Sequence, residues 1–278
     1  MMHYARATRY HSVKRVFWRA ASVASILGTV LATALATALA LPGSAWSQAD
    51  GAADQELLYR ACLNQARADP ENAYRAALDW HQAGGGLPAR HCAAVALLGL
   101  NAYDEAASRL ETLAGEVPDA RLDLRLGLMA QAAQGWMMSG RAARAEQLLS
   151  RVISVQPNDP QILADRAVAR LSLRDYWGAV DDLDRSIQMA PRDVELLLYR
   201  ASAYRYLGVP DLARDDVERA LAVNPIAPAA WLERGILEQM AGDDTAARRS
   251  WIRVLDLAPE SSTADAARAR IEALDVTR

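Results

Sequence analysis

Residues 160–193, PQILADRAVARLSLRDYWGAVDDLDRSIQMAPRD, are followed by VELLLYRASAYRYLGVPDLARDDVERALAVNPIA over 194–227 and by PAAWLERGILEQMAGDDTAARRSWIRVLDLAPES over 228–261. The three lines share one register. Pro191, Pro225 and Pro259 are 34 residues apart, and so are Ala179, Ala213 and Ala247, and Ala167, Ala201 and Gly235. Toward the amino terminus the columns continue 34 residues earlier through Pro157, Ala145 and Ala133, then after a step of 39 through Pro118, Ala106 and Ala94. Three columns of small or helix-ending residues in one register mark an internal repeat, and a period of this length belongs to stacked supersecondary units.

Each unit carries two apolar stripes at helical spacing, as in Leu163, Ala167, Arg170 and Leu171 followed by Ala179, Leu183 and Ile187. No stretch alternates apolar and polar as a half-buried strand does. Helix starts are predicted at Asp69-Pro70, Asp159-Pro160, Pro210-Asp211 and Asp243-Asp244, where a side chain caps free amides or a proline fits the first turn. Turns inside the pairs are predicted at Gly140, Arg174-Asp175, Gly208 and Gly242. Alanine or glycine at facing positions lets paired helices approach at the near end of the roughly 8–10 Å range of interaxial distances.

These units resemble tetratricopeptide repeats, whose pattern sets an aromatic, a Gly or Ala, a second Ala, another aromatic and a Pro at fixed offsets. The last unit matches with Trp231, Gly235, Ala247, Trp251 and Pro259, and the one before it with Leu197, Ala201, Tyr204, Ala213 and Pro225. The units fall at 54–86, 87–120, 126–159, 160–193, 194–227 and 228–261. The resemblance implies an all-α, right-handed α-solenoid of about six hairpins, closed by a capping helix within 262–278. In that cap Ala267, Ile271 and Leu274 face inward, while Asp265, Arg268, Arg270 and Glu272 stay in water. Three departures stand out. Gly84-Gly85-Gly86 replaces the proline of the first unit, residues 121–125 are extra, and Arg166, Arg200 and Arg234 occupy a column that is usually Leu. The extra residues are expected to lengthen the helix beginning near Asp119 by more than a turn. The arginine heads are expected to reach Asp181, Asp182, Asp215 or Asp216 of their own hairpins.

The chain has 278 residues, 52% of them hydrophobic and 6% aromatic, which suits a folded protein and excludes disorder and collagen. It carries 31 basic and 34 acidic residues, but five of the bases (Arg6, Arg9, Lys14, Arg15 and Arg19) precede the first acid, Asp50. The remainder is therefore strongly acidic, which argues against binding nucleic acid, since that requires a basic stripe. The basic segment leads into ASVASILGTVLATALATALAL at 21–41, uncharged until Pro42 and Gly43 break it, and Ala45, Ser47 and Ala49 follow. Residues 1–49 read as a secretory signal cleaved after Ser47 or Ala49. An uncleaved membrane anchor is the second reading, because the run is long enough to cross a hydrocarbon core of about 30 Å.

The exported body holds two histidines, His81 and His91, and two cysteines, Cys62 and Cys92. It has no G-x-S-x-G, no Gly-Lys-Ser/Thr phosphate loop, no H-E-x-x-H and no C-x-x-C. No catalytic residue, metal or cofactor is expected. A metal or redox site built from those four residues remains an alternative, although their spacing matches no structural zinc pattern. The glycine run is expected to be a hinge or turn, and the acid pairs Asp181-Asp182, Asp215-Asp216 and Asp243-Asp244 solvated faces and caps rather than a glycosidase pair. In the repeat register Cys62 and Cys92 lie on neighbouring first helices, and in an oxidising compartment they are expected to form a disulfide.

A tetratricopeptide superhelix lines its concave side with the first helix of each unit. The resemblance places in that groove Gln134, Met137 and Met138; Gln161, Val168 and Leu171; Glu195, Leu198, Ser202, Arg205 and Tyr206; and Leu232, Ile236, Gln239 and Met240. Met and Tyr would supply adaptable apolar contacts and Arg205 would grip a carboxylate. The lysines and asparagines with which chaperone-binding relatives hold a terminal carboxylate are missing; Ala164, Val168, Leu198 and Ser202 stand there instead. The expectation is a non-enzymatic, protein-binding scaffold of a bacterial periplasm, acting in envelope assembly or secretion. A membrane-anchored version and the metal or redox factor are the alternatives, and the partner and oligomeric state are left open.

Overall fold

The computed structural model describes residues 44–276, with side chains from Asp54 onward. The signal or anchor expected at 1–49 falls almost entirely outside the described residues. Among the described residues no helix is long and apolar enough to cross a membrane. They form thirteen α-helices and one 3-10 turn, without a strand. Two compact units divide between Ala102 and Tyr103, inside the hairpin that the sequence register sets at 87–120.

The amino-terminal unit contains α1 (Ser44–Ala68), α2 (Pro70–Gln82) and α3 (Gly86–Gly99), with α1 packed on both of the others. Asp69 starts α2 by accepting the backbone N–H of Asn72 at 3.2 Å, and Pro70 sits in the first turn, where a missing N–H costs nothing. The contacts are built from small residues: Ala66, Ala73, Ala77, Ala89, Ala93 and Ala96 are all buried. The glycine run is a tight turn. Gly84 and Gly86 have φ of 94° and 53°, and a Cβ on Gly85 would meet the Trp80 indole at 2.5 Å. A disulfide joins Cys62 to Cys92, with the Cα atoms 6.1 Å apart, and Tyr59 is hydrogen-bonded to His91 Nδ1 at 2.6 Å. The link ties α1 to α3 across a separation of 30 residues. Cys62→Ser, Cys92→Ser or reduction is therefore expected to remove about 3 kcal/mol, visible as earlier chemical unfolding of this unit followed by circular dichroism.

The second unit runs through α4 (Tyr103–Glu116), α5 (Leu122–Met138), α6 (Ala142–Val155), α7 (Pro160–Leu173), α8 (Tyr176–Met189), α9 (Val194–Tyr206), α10 (Pro210–Val223), α11 (Pro228–Met240), α12 (Asp244–Leu257) and α13 (Ser262–Val276). Each helix packs on the next, and α5, α7, α9, α11 and α13 also touch one another in order. Together the helices build an all-α repeat solenoid. Ala133, Ala167 and Ala201, facing Ala145, Ala179 and Ala213, are wholly buried, as the columns require. The extra residues appear as a 3-10 turn at Asp119–Arg121 and a 17-residue α5 that begins at Leu122; against the 14 residues of α7 this is less than the extra turn expected, because part of the insertion is spent in the 3-10 turn.

Helix α7 starts at Asp159, α9 at Asp193 and α12 at Asp243, each with a carboxylate accepting backbone N–H groups. The hairpin turns use a left-handed residue: Gly140, Gly208 and Gly242 have φ between 74° and 82°, and Arg174, 34 residues after Gly140, has φ 65°. A side chain in that region costs roughly 1–2 kcal/mol. Arg174→Gly is expected to raise stability by about 1 kcal/mol, measured as a higher urea midpoint.

The arginine column forms a ladder through the hairpins. Arg166 gives two hydrogen bonds to Asp182, at 2.9 and 2.6 Å, and Arg200 gives two to Asp216, both at 2.7 Å. Each also reaches the preceding hairpin, Arg166 at Ser150 Oγ and Arg200 at Asp184. Arg234 instead meets Glu238 at 3.0 Å, because Ser250 stands where the aspartates do. The paired carboxylates raise the Arg166 and Arg200 pKa values against the opposing effect of burial. Asp182 and Asp216 are buried, which corrects the expectation that both members of these two pairs are solvated; Asp181 and Asp215 are exposed, as are both members of the third pair, Asp243 and Asp244. Helical neighbours point about 100° apart, so one member faces the arginine and the other faces water.

The cap begins at Ser261, whose Oγ accepts the N–H of Ala264 at 3.1 Å. Ala264, Ala267 and Leu274 are buried against α11 and α12. Asp265, Arg268 and Glu272 are exposed as expected, but Arg270 is not: it is half-buried above Trp251, its guanidinium 5.8 Å from the ring centroid.

Candidate functional site

Among the helices of the second unit, like touches like along α5, α7, α9, α11 and α13. Each unit presents the same helical positions 34 residues on, with different side chains at them: Met138, Ser172, Tyr206 and Met240 form one such column. Of the residues expected to line a groove, Gln134, Met137 and Met138 lie on α5, Gln161 on α7, Glu195, Arg205 and Tyr206 on α9, and Gln239 on α11. Gln161 and Glu195 are exposed, Tyr206 is 41% exposed, and the others are half-buried.

Two clusters form. In the first, Gln134 and Gln161 come together on Asp165, a buried residue of α7 that sequence reasoning did not single out. Gln161 Nε2 donates to Asp165 Oδ1 at 2.9 Å, and Gln134 adds a second hydrogen bond, while Oδ2 is buried without a partner. Burial pushes the Asp165 carboxyl up to about 6, with the hydrogen bonds from Gln161 and Gln134 pulling back and the Asp159 charge adding to the rise. Tyr199, on α9, has its phenol pKa raised by burial and by the charges of Glu195 and Asp165. Asp165, Tyr199 and Glu233 are spaced by 34, a column of polar residues facing the preceding first helix that inspection of the period could have found.

The raised Asp165 value has a defined consequence. The unfolded carboxyl releases its proton near 3.8, the folded one near 6. The protonated group's stabilisation is fully present below the lower value and is lost as pH rises through the upper one, in total about 3 kcal/mol. Asp165→Asn is therefore expected to match the parent at pH 3.5 and to exceed its stability by about 2–3 kcal/mol at pH 7.5. Urea titrations at the two pH values measure this, and a variant-minus-parent difference independent of pH would contradict it.

In the second cluster Arg205 Nε donates to Glu233 of α11 at 2.5 Å and Nη2 to Ser202 Oγ at 3.2 Å. The carboxylate expected of a partner is thus supplied at Arg205 by the chain itself. Its guanidinium also lies 4.3 Å from the Tyr206 ring centroid, and that ring stacks on Tyr176 at 4.9 Å and 8°. The cation–π and stacking contacts hold Tyr206 in place while it keeps an accessible edge. Arg270 approaches the same cluster from α13, close enough for its charge to feel Arg205, Glu233 and Tyr206.

The four residues of the alternative metal or redox site do not assemble as one. Cys62 and Cys92 are bonded to each other, His91 meets Tyr59, and His81 is exposed near the end of α2. Among the described residues no three His, Cys, Asp or Glu side chains converge for a metal ion.

Models of the tetratricopeptide repeat family match residues 97–171 and 198–262. No curated protein sequence matches the chain. Among solved structures, a crystal structure of MamA superposes with a TM-score of 0.52 at 14% identity, covering 60% of this chain and 95% of that one. MamA residues 41-end from Desulfovibrio magneticus RS-1 gives 0.51 at 17%, covering 69% and 96%. TTC0263, a thermophilic TPR protein of Thermus thermophilus, gives 0.52 at 20%, covering 65% and 94%. At these identities the structures speak for the fold, and the two family matches for membership: with its 34-residue hairpins and its ladder of first helices, the chain belongs to the tetratricopeptide repeat family of protein–protein interaction scaffolds.

Proposed function

We propose that this protein is an exported, non-enzymatic scaffold that holds a peptide segment or partner subunit along the face of α5, α7, α9, α11 and α13, in the periplasm, during envelope assembly or secretion. The observation that carries the reading is the repetition on this face. Met138, Ser172, Tyr206 and Met240 stand 34 residues apart at one position of successive first helices, Met138 half-buried and the other three exposed, giving one extended chain a series of footholds at equal spacing. The Cys62–Cys92 bond supports an oxidising compartment, in line with the export signal read at 1–49. If that segment stays uncleaved, the same scaffold is tethered to the inner membrane, and amino-terminal sequencing of the native protein separates the two forms.

The binding face is tested by photo-crosslinking in the native envelope. A photoreactive residue at Met138, Tyr206 or Met240 is expected to trap a discrete partner. The same residue at Ile252 on α12, 44% exposed, is expected to trap none. Equal products from both sets would reject the assignment of the face.

A further inference from the structure

Gln134, Val168, Ser202 and Ile236 follow one another at 34-residue intervals on the first helices, and the next member of that column is Arg270, in the capping helix α13. The cap therefore does more than close the stack: it adds one more row to the face. The charge at this end does not balance. Arg205 and Arg270 bring two cations to a cluster with one carboxylate, Glu233, which Arg205 holds at 2.5 Å. Arg166, Arg170, Arg200, Arg205 and Arg234 each have a carboxylate within ion-pair distance. Arg270 has none among the described residues; its contact is the face of Trp251. Burial, reinforced by the Arg205 charge, lowers its pKa.

A half-desolvated guanidinium has given up part of its hydration without receiving an anion. A carboxylate arriving there accepts two hydrogen bonds from a planar fork already held in place by the indole, so little rotamer entropy remains to be lost. Tyr206 and Met240, one unit apart in register and both exposed, supply apolar surface on the same face. We propose that Arg270, backed by the Arg205–Glu233 pair, is a receptor for a carboxylate of the bound polypeptide, placed next to an apolar residue of that polypeptide. This rests on the reading of the first-helix face as the binding face, and it differs from the expectation that Arg205 grips the partner: Glu233 neutralises Arg205 and leaves Arg270 as the cation to be met.

The test is an array of short peptides with apolar residues beside a single acidic group, each in three forms: a free terminal carboxylate, the corresponding amide, and an internal Asp with an amidated end. The full exported body is applied as parent, R270Q and R270K. The parent is expected to retain carboxylate forms about 10-fold better than neutral ones, a difference of about 1.4 kcal/mol. R270Q is expected to lose that preference and R270K to keep part of it, while both keep the parent's helicity. Whether the terminal acid or the internal Asp is preferred identifies the source of the group. Equal retention of acid and amide by the parent, no retention of any peptide, or full selectivity in R270Q would each overturn the proposal. Crosslinking from Tyr206 and Met240 that persists alongside such a result leaves the face assignment standing; loss of that crosslinking in the parent removes the assignment itself.

Discussion

Replacing Asp182 with leucine alone is expected to cost about 3–5 kcal/mol, because it strands the Arg166 guanidinium inside the hairpin. Asp182 is 1% exposed and accepts three hydrogen bonds, two from Arg166 and one from Arg170 at 2.9 Å. Without it Arg166 keeps only Ser150 Oγ as a hydrogen-bond acceptor, with the Glu146 charge at longer range, whereas Arg170 retains a direct contact to Glu146 and the Gly178 carbonyl. The chain itself contains the apolar counterpart: 34 residues earlier, Ala132 and Leu148 stand at the places of Arg166 and Asp182, both buried. Replacing the two together, Arg166→Ala with Asp182→Leu, is therefore expected to recover most of the loss, since a buried pair gains little over a well-packed apolar one. Urea unfolding of the two single variants and the double variant gives the coupling energy. Because the pair is buried, the result is expected to change little between low and high salt.

Gly235→Ala is expected to destabilise by about 2 kcal/mol, although alanine occupies the same position in the three preceding units. The reason is the partner across the hairpin. Residues 149, 183 and 217 are Leu, Leu and Val, but residue 251 is Trp, wholly buried. A Cβ on Gly235 would lie 2.6 Å from the Trp251 Cδ1 and closer still to Nε1, in a rigid ring that is itself wholly buried. The effect belongs to the pair and not to the glycine. Combined with Trp251→Leu, the alanine is expected to cost less than about 0.5 kcal/mol beyond the Trp substitution alone, which denaturant melts of the four-member cycle measure. An additive cycle would mean that the indole can shift.

Both predictions show why so much of this architecture is legible without coordinates. The spacing of Ala, Gly and Pro columns is a property of the backbone path. A residue that must be small so that helices touch, or must end a helix, is required at the same place in every unit. Helix starts at Asp69, Asp159 and Asp243 are equally local, since a cap needs only its own next three residues. That Arg166 and Arg200 reach an aspartate of their own hairpins was legible too, although which member of each acid pair meets them was decided by the packing.

What lay beyond the sequence was decided between units. Arg205 is committed to Glu233, 28 residues away on the next first helix; Asp165 is sealed between α5, α7 and α9; and Arg270 settles over Trp251 when the cap lies down. Each depends on how neighbouring hairpins tilt and which rotamers remain open, quantities that no single repeat specifies. The period, the helices and their caps are thus written in short-range chemistry. Which charges on the first helices are already satisfied was settled only when the hairpins stacked, because desolvation and ion pairing act on side chains that the chain brings together from different units.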